Sequence, residues 1–267
     1  MLDRTCRLSL LTRDLPPMNL KIIKSYLQPS MLYRYRSLKD CDQEIQAIEG
    51  GYLHCAAYRK LNDPMEGLFV SSPGLRQSAG YRSIRESISD AKSHIGICSF
   101  SEVRNHELMW AHYADRFEGI CVAYSFSKLS DALPESVEFV RMFYDERVPT
   151  IHRARNGREY QAKKALSCKN YRWLYEREWR MFGPLGRVSY GDLTCVACVY
   201  LGSRIRHHDR VRIEHRLAPL KIKTRQMIID KYSISFEPRH RQATRRAILR
   251  RQGCGCLRRH SARASLS

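Results

Sequence analysis

Glu176, Glu178 and Arg180 stand at alternate positions in Tyr175-Glu176-Arg177-Glu178-Trp179-Arg180, interleaved with two large aromatic residues and an arginine. Paired carboxylates can divide labour, one stabilising a developing positive charge while the other moves a proton. In an extended strand the period of two puts Glu176, Glu178 and Arg180 on one face and Tyr175, Arg177 and Trp179 on the other. In a helix the two acids would diverge by about 200°. A strand is therefore expected, with an acid, acid, base face suited to a cationic or phosphorylated substrate.

The elements that must hold this face follow from hydrophobic patterning. Met31 to Ser37 alternates aromatic and basic residues and reads as a strand. A helix follows, with Ile45 and Ile48 on its inner face, Asp40 or Asp42 at its start and Gly50-Gly51 at its end. Tyr52 to Ala57 reads as a second strand and Leu61-Asn62-Asp63-Pro64 as a tight loop, since Asp63 precedes proline. Further on, helices are expected at 83–92 and 105–113, strands at 94–100, 119–126 and 137–144, and a long helix at 158–174 leading into the acidic strand. Strands at 196–201 and 232–236 flank a helix at 208–217. Many short strands with few helices point to an α+β fold, one domain of mostly antiparallel strands.

Composition bounds the rest. At 267 residues, 43% hydrophobic, the chain can bury one sizeable core. No apolar run approaches the roughly 18 residues a membrane span requires, and charged residues interrupt the N-terminus, so a cytoplasmic protein with no membrane partner is expected. The ten cysteines are expected as reduced thiols. Cys195 and Cys198, three apart on an expected strand, would face opposite sides and share no zinc ion; Cys254 and Cys256 lie in an arginine-rich tail. Of the net charge of +20, residues 238–267 carry nine arginines and no acid, and residues 1–30 carry five basic and two acidic residues, which leaves +8 for 31–237. The chain thus divides into an N-terminal extension (1–30), a globular domain (31–237) and a basic tail (238–267). The tail reads either as a solvated, disordered extension or as a binder of nucleic-acid phosphates.

Four segments together resemble a mainly bacterial family catalogued as domain of unknown function 2971. They are 32–37, Leu-Tyr-Arg-Tyr-Arg-Ser; Gly51-Tyr52-Leu53 with Leu61-Asn62-Asp63-Pro64-Met65-Glu66; 97–101 with 109–115, Met-Trp-Ala-His-Tyr-Ala-Asp, and Gly119-Ile120-Cys121; and 175–180. The resemblance runs from residue 31 to about 237. More distantly, the order of Arg34, the 99–113 region and Glu178 resembles the ADP-ribosyltransferase fold, whose split sheet serves NAD-cleaving toxins and phage-defence enzymes. Ser99-Phe100-Ser101 departs from that fold's usual middle motif.

The resemblance implies NAD as substrate, consumed by transfer to an unknown acceptor or to water. Glu178 would stabilise an oxocarbenium-like ribose, and Glu176 would orient or deprotonate the acceptor. Arg34 would hold the pyrophosphate with Tyr33 and Tyr35 beside it, and Trp110 and Tyr113, three apart on a helix, would stack on a ring, with His112 or Asn105 adding polar contacts. Each residue also has a structural alternative: Arg34 and Glu178 as an ion pair between strands, Glu176 and Arg180 as solvated neighbours, the tryptophans as core. Two other functions stay open on the residues alone: nucleic-acid binding without catalysis, and a metal-dependent nuclease using Asp63, His112, Glu176 and Glu178.

Overall fold

A computed structural model describes residues 28–152 and 157–237. Most of the N-terminal extension and the whole basic tail, with Cys254 and Cys256, lie outside these residues. The described chain is a mixed α+β domain. It begins β1 (Met31–Arg36), α1 (Cys41–Glu49), β2 (Tyr52–Ala57), β3 (Val70–Ser71), α2 (Pro73–Arg76), α3 (Tyr81–His94) and β4 (Gly96–Ser101). Next come α4 (Glu107–Tyr113), β5 (Ile120–Ser125), α5 (Phe126–Ala132), β6 (Glu138–Arg141), β7 (Phe143–Asp145), β8 (Thr150–Ile151), α6 (Arg158–Leu166) and β9 (Cys168–Asn170). A 3₁₀ turn at Tyr171–Glu176 precedes β10 (Glu178–Gly183), and β11 (Gly186–Ser189), β12 (Val196–Leu201), α7 (His207–Leu217), β13 (Thr224–Asp230) and β14 (Ser233–Phe236) complete it.

The main sheet runs β11-β2-β4-β1-β5-β12-β13-β14, with β10 and β6 added beside β4. Its pairings are antiparallel except β12 with β13. β5 is buried along Ile120–Tyr124, because cores lie on both of its faces. On one face Leu32, Val122, Tyr124, Trp179 and Met181 pack with α1, α5 and α7. On the other, Tyr33, Tyr35, Cys121, Ala123 and Tyr200 surround Trp110 of α4. A third cluster joins Ile88 of α3 to Leu166 of α6 over Ile97 and Phe182.

The feature that matters for the site is a fork at β4. One edge of β4 pairs with β10 along its whole length, Gly96 to Ser101 against Gly183 to Glu178. The opposite edge is shared: β2 takes Gly96 and Ile97 through Ala57 and Ala56, and β1 takes Ser101 through Tyr33. Between them, Cys98 to Phe100 have no strand partner on that edge among the described residues. β1 and β2 therefore splay, and the gap opens as a cleft.

Two expectations are corrected, and one strand is new. The helix expected over 158–174 stops at Leu166. Ser167 turns its hydroxyl back to the Lys163 carbonyl at 2.7 Å, and the next three residues pair with β7 instead. Tyr175 to Arg180 is not one strand. Glu176 ends the 3₁₀ turn, and Arg177 takes a left-handed φ of 45° before the strand starts at Glu178. β13 was not foreseen; it lies parallel to β12 with β14 folded back along it. Cys195 and Cys198 do face opposite sides, one in each of the two large cores. A bulge at Val196/Cys198 accompanies this placement. The seven described cysteines are free thiols.

A strained turn fixes α4 against the sheet. Asp115, Arg116 and Phe117 all have positive φ, at about 1–2 kcal/mol each for residues with a Cβ. The turn fits because two glycines let backbones touch: a Cβ on Gly119 would lie 2.2 Å from the Arg36 carbonyl oxygen, and one on Gly202 would lie 2.0 Å from that of Phe117.

Candidate functional site

The fork encloses a cleft of about 330 Å³, at the small end of the range for ligand sites. Five ionisable side chains close its inner end: Glu66, Lys169, Glu176, Glu178 and Arg180, all buried. Glu178 and Arg180 alternate on β10 and so share a face, as the sequence pattern requires. Glu176 reaches the same place by another route, carried by the left-handed turn at Arg177. Ser101 holds that turn by donating to the Glu176 carbonyl at 2.6 Å.

Lys169, from β9, is the hub. Its Nζ lies 2.5 Å from Glu176, 3.3 Å from Glu178 and 3.4 Å from Glu66. Arg180 donates through Nε to Glu178 at 2.8 Å, through Nη2 to Glu66 at 2.7 Å and through Nη1 to the Leu166 carbonyl at 2.7 Å. Three carboxylates against two cations leave one excess negative charge. Tyr113 donates to Glu176 and accepts from the Asn62 amide at 2.7 Å, while the Tyr144 hydroxyl accepts from the Glu178 backbone N–H at 2.8 Å. The second carboxylate oxygen of Glu66 is buried without a hydrogen-bond partner among the described residues.

This arrangement drives the two central carboxyls apart. For Glu176, burial pushes the pKa up and the nearby Glu178 charge adds to it, with Lys169 opposing; the net direction is upward. For Glu178, burial acts in the same upward sense, but Arg180 and Lys169 outweigh it and bring the carboxyl down to about 2. Lys169 is kept charged: burial would lower its pKa, yet Glu178, Glu176 and Glu66 together raise it. Tyr113 is raised by burial and by the Glu176 charge, so it stays a neutral donor. Two acids of one site, one fixed as an anion and one readier to take a proton, is the pattern of divided acid/base labour.

The other end of the cleft is cationic, lined by Arg34, Arg36, His54 and Lys60. Arg34 is already committed: its guanidinium lies 3.2 Å from Glu44 of α1 and 3.4 Å from the His54 carbonyl, so it braces β1 to β2 across the fork. Its ion-pair partner is Glu44, not Glu178.

Of the residues selected from sequence, Glu176, Glu178, Arg34, Tyr35 and Tyr113 line one cleft. Tyr35 gives its hydroxyl to the Val103 carbonyl at 2.8 Å. Trp110 does not line the cleft: it is fully buried beneath Tyr35 and donates its indole N–H to the Arg104 carbonyl at 2.7 Å. His112 is exposed on α4 with its ring toward Tyr175, and Asn105 does not line the cleft either. Asp63 accepts from the Met65 N–H at 2.9 Å and makes a turn. The four residues considered for a nuclease metal do not converge, and no cluster of three His, Cys, Asp or Glu able to hold a metal occurs among the described residues. Sequence reasoning gave no role to Lys169, hidden inside the expected helix, or to Glu66, although Glu66 closes the Leu61–Glu66 segment that carries the family resemblance.

Residues 109–181 match the model of a family described as protein of unknown function (DUF2971). The match is shorter than the 31–237 resemblance, and it holds Tyr113, Lys169, Glu176, Glu178 and Arg180 but not Arg34 or Glu66. No curated protein and no solved structure matches the chain. No helix among the described residues is long and apolar enough to cross a membrane.

Proposed function

We propose that the protein cleaves the nicotinamide–ribose bond of NAD, passing the ribosyl group to an acceptor or to water. The observation that supports this is the pair of carboxyls with opposed pKa shifts at the closed end of a cleft whose other end is cationic. As nicotinamide departs with the bonding electron pair and becomes neutral, positive charge grows on the ribose. The fixed anion of Glu178 stabilises that charge electrostatically. Glu176 accepts the proton of the attacking hydroxyl, a task favoured by a carboxyl with raised proton affinity. Tyr113 and Lys169 orient Glu176. The cleft's volume suits the nicotinamide riboside half, leaving the adenylate half outside. Such an activity would agree with a cytoplasmic toxin or phage-defence effector, as the ADP-ribosyltransferase resemblance implies.

The test is nicotinamide release from NAD, measured with the intact chain and with Glu178→Gln and Glu176→Gln, folding being checked by circular dichroism. Release by the parent, abolished in Glu178→Gln and slowed with an altered pH profile in Glu176→Gln, supports the reading. Absence of release by the parent, or unchanged turnover in folded Glu178→Gln, refutes it.

A further inference from the structure

We infer that the outer end of the cleft is a phosphate subsite formed by Arg36, His54 and Lys60, which takes the phosphoryl group of the substrate. Arg34, the obvious candidate from sequence, is buried and spent on Glu44 and the His54 carbonyl. Its neighbours keep donors that are not used. Arg36 sets its Nε 3.0 Å from Glu44, its side chain is 28% exposed, and no hydrogen bond among the described residues occupies its terminal amino groups. Lys60, at the end of the short 3₁₀ turn Tyr58–Lys60, and the exposed imidazole of His54 on β2 likewise have no hydrogen-bond or ion-pair partner among the described residues. All three line the cleft.

The field at this end is positive. His54 is held below its ordinary pKa first by partial burial and then by four cations: Arg34 and Arg36 from β1, Lys60, and Arg187, its cross-strand partner on β11. The acid nearby is Glu44, which lies behind the two β1 arginines and is already paired with both. A guanidinium fork, an ammonium and an imidazole are three separate donors, which can divide among the four non-bridging oxygens of a pyrophosphate where a carboxylate offers two. The acidic inner end and this basic outer end together select a substrate cationic at one end and phosphorylated at the other. That selection deepens the NAD reading and rests on it only for what lies between the two ends.

The experiment needs no turnover. The His54 imidazole is titrated by NMR in the intact protein, in sodium chloride and in inorganic phosphate at equal ionic strength, for the parent and for Lys60→Met, whose side chain is exposed and outside the fold's core. Phosphate is expected to raise the His54 pKa by about one unit, a tenfold gain in proton affinity. In Lys60→Met phosphate should bind about tenfold more weakly, as expected when one charge-assisted contact is lost. If phosphate leaves the His54 titration where chloride leaves it, or if Lys60→Met binds phosphate as the parent does, the subsite is overturned. Failure here with nicotinamide release intact would remove the subsite alone; phosphate binding without nicotinamide release would leave the subsite and remove the NAD reading.

Discussion

Lys169→Met isolates the most consequential contact in the molecule. Lys169 sits 2.5, 3.3 and 3.4 Å from three buried carboxylates, and methionine keeps its length without its charge. Removing it leaves Glu66, Glu176 and Glu178 facing Arg180 alone, two excess negative charges largely shielded from solvent. Losing one partner of a buried pair costs about 3–5 kcal/mol. The variant has one escape, which is for Glu176 to fold protonated, because its carboxyl is already pushed upward by burial and by Glu178. Protonating a carboxyl of unfolded pKa about 4.3 costs about 1.4 kcal/mol per pH unit above that value. The folded variant then binds one proton more than its unfolded chain, so its stability falls as pH rises, by about 3 kcal/mol between pH 5 and pH 7. Glu178 contributes with the opposite sign: its lowered pKa gives stability that is present above about 4.3 and is lost as pH falls toward 2. Urea unfolding at pH 5, 6, 7 and 8 measures the slope. The deficit relative to the parent should widen with pH, and it should stop widening when Glu176→Gln is added to Lys169→Met. A deficit below about 1 kcal/mol, or one independent of pH, refutes the coupled-cluster reasoning.

Tyr113→Phe removes the hydroxyl that donates to Glu176, so the Glu176 carboxyl should move further up and the acidic limb of kcat/KM for nicotinamide release should move up with it, at about 1 kcal/mol of stability; a pH–rate profile shows the shift. Trp110→Phe should lower the unfolding free energy from urea titration by about 1–3 kcal/mol, through lost volume and an unpaired Arg104 carbonyl, while KM for NAD stays within twofold, since the indole lies under Tyr35 and not in the cleft.

The strands were legible where patterning was strong. β1, β2, β5 and β12 fall within a residue or two of expectation because their apolar runs must be buried on at least one face. The short helices α1 and α4 carried equally plain spacing. Elements defined by distant partners were less legible. β9 is three residues long and exists because β7 lies beside it, so Lys169 was read as part of a helix that Ser167 in fact ends. The acidic segment was half right for a related reason. Nothing in Glu176-Arg177-Glu178 announces a left-handed arginine, which is held by Glu102 accepting from its guanidinium and by the Leu174 carbonyl accepting from its N–H. The pairing of Glu44 with Arg34 was equally invisible, since it needs the angle at which α1 crosses β1.

The composition of the inner cluster is itself an argument about use. Five charges removed from solvent bring a desolvation penalty that a well-packed apolar core of the same volume would avoid, and replacing such clusters by apolar residues is often neutral or stabilising. Here the penalty is compounded by an excess negative charge and by an orphaned Glu66 oxygen. It is compounded again by four left-handed residues, at 115–117 and 177, in the segments carrying Tyr113 and Glu176. Stability alone would favour none of these. The convergence of the five charges and the left-handed Arg177 on the closed end of one cleft, while Trp110 and Trp179 a few residues away lie in the apolar cores, separates what the fold needs from what a positively charged reacting group would need. A substrate that brings one positive charge to this end would balance the excess negative charge of the cluster. An oxocarbenium-like ribose with its free hydroxyls is such a group, and a phosphate diester is not.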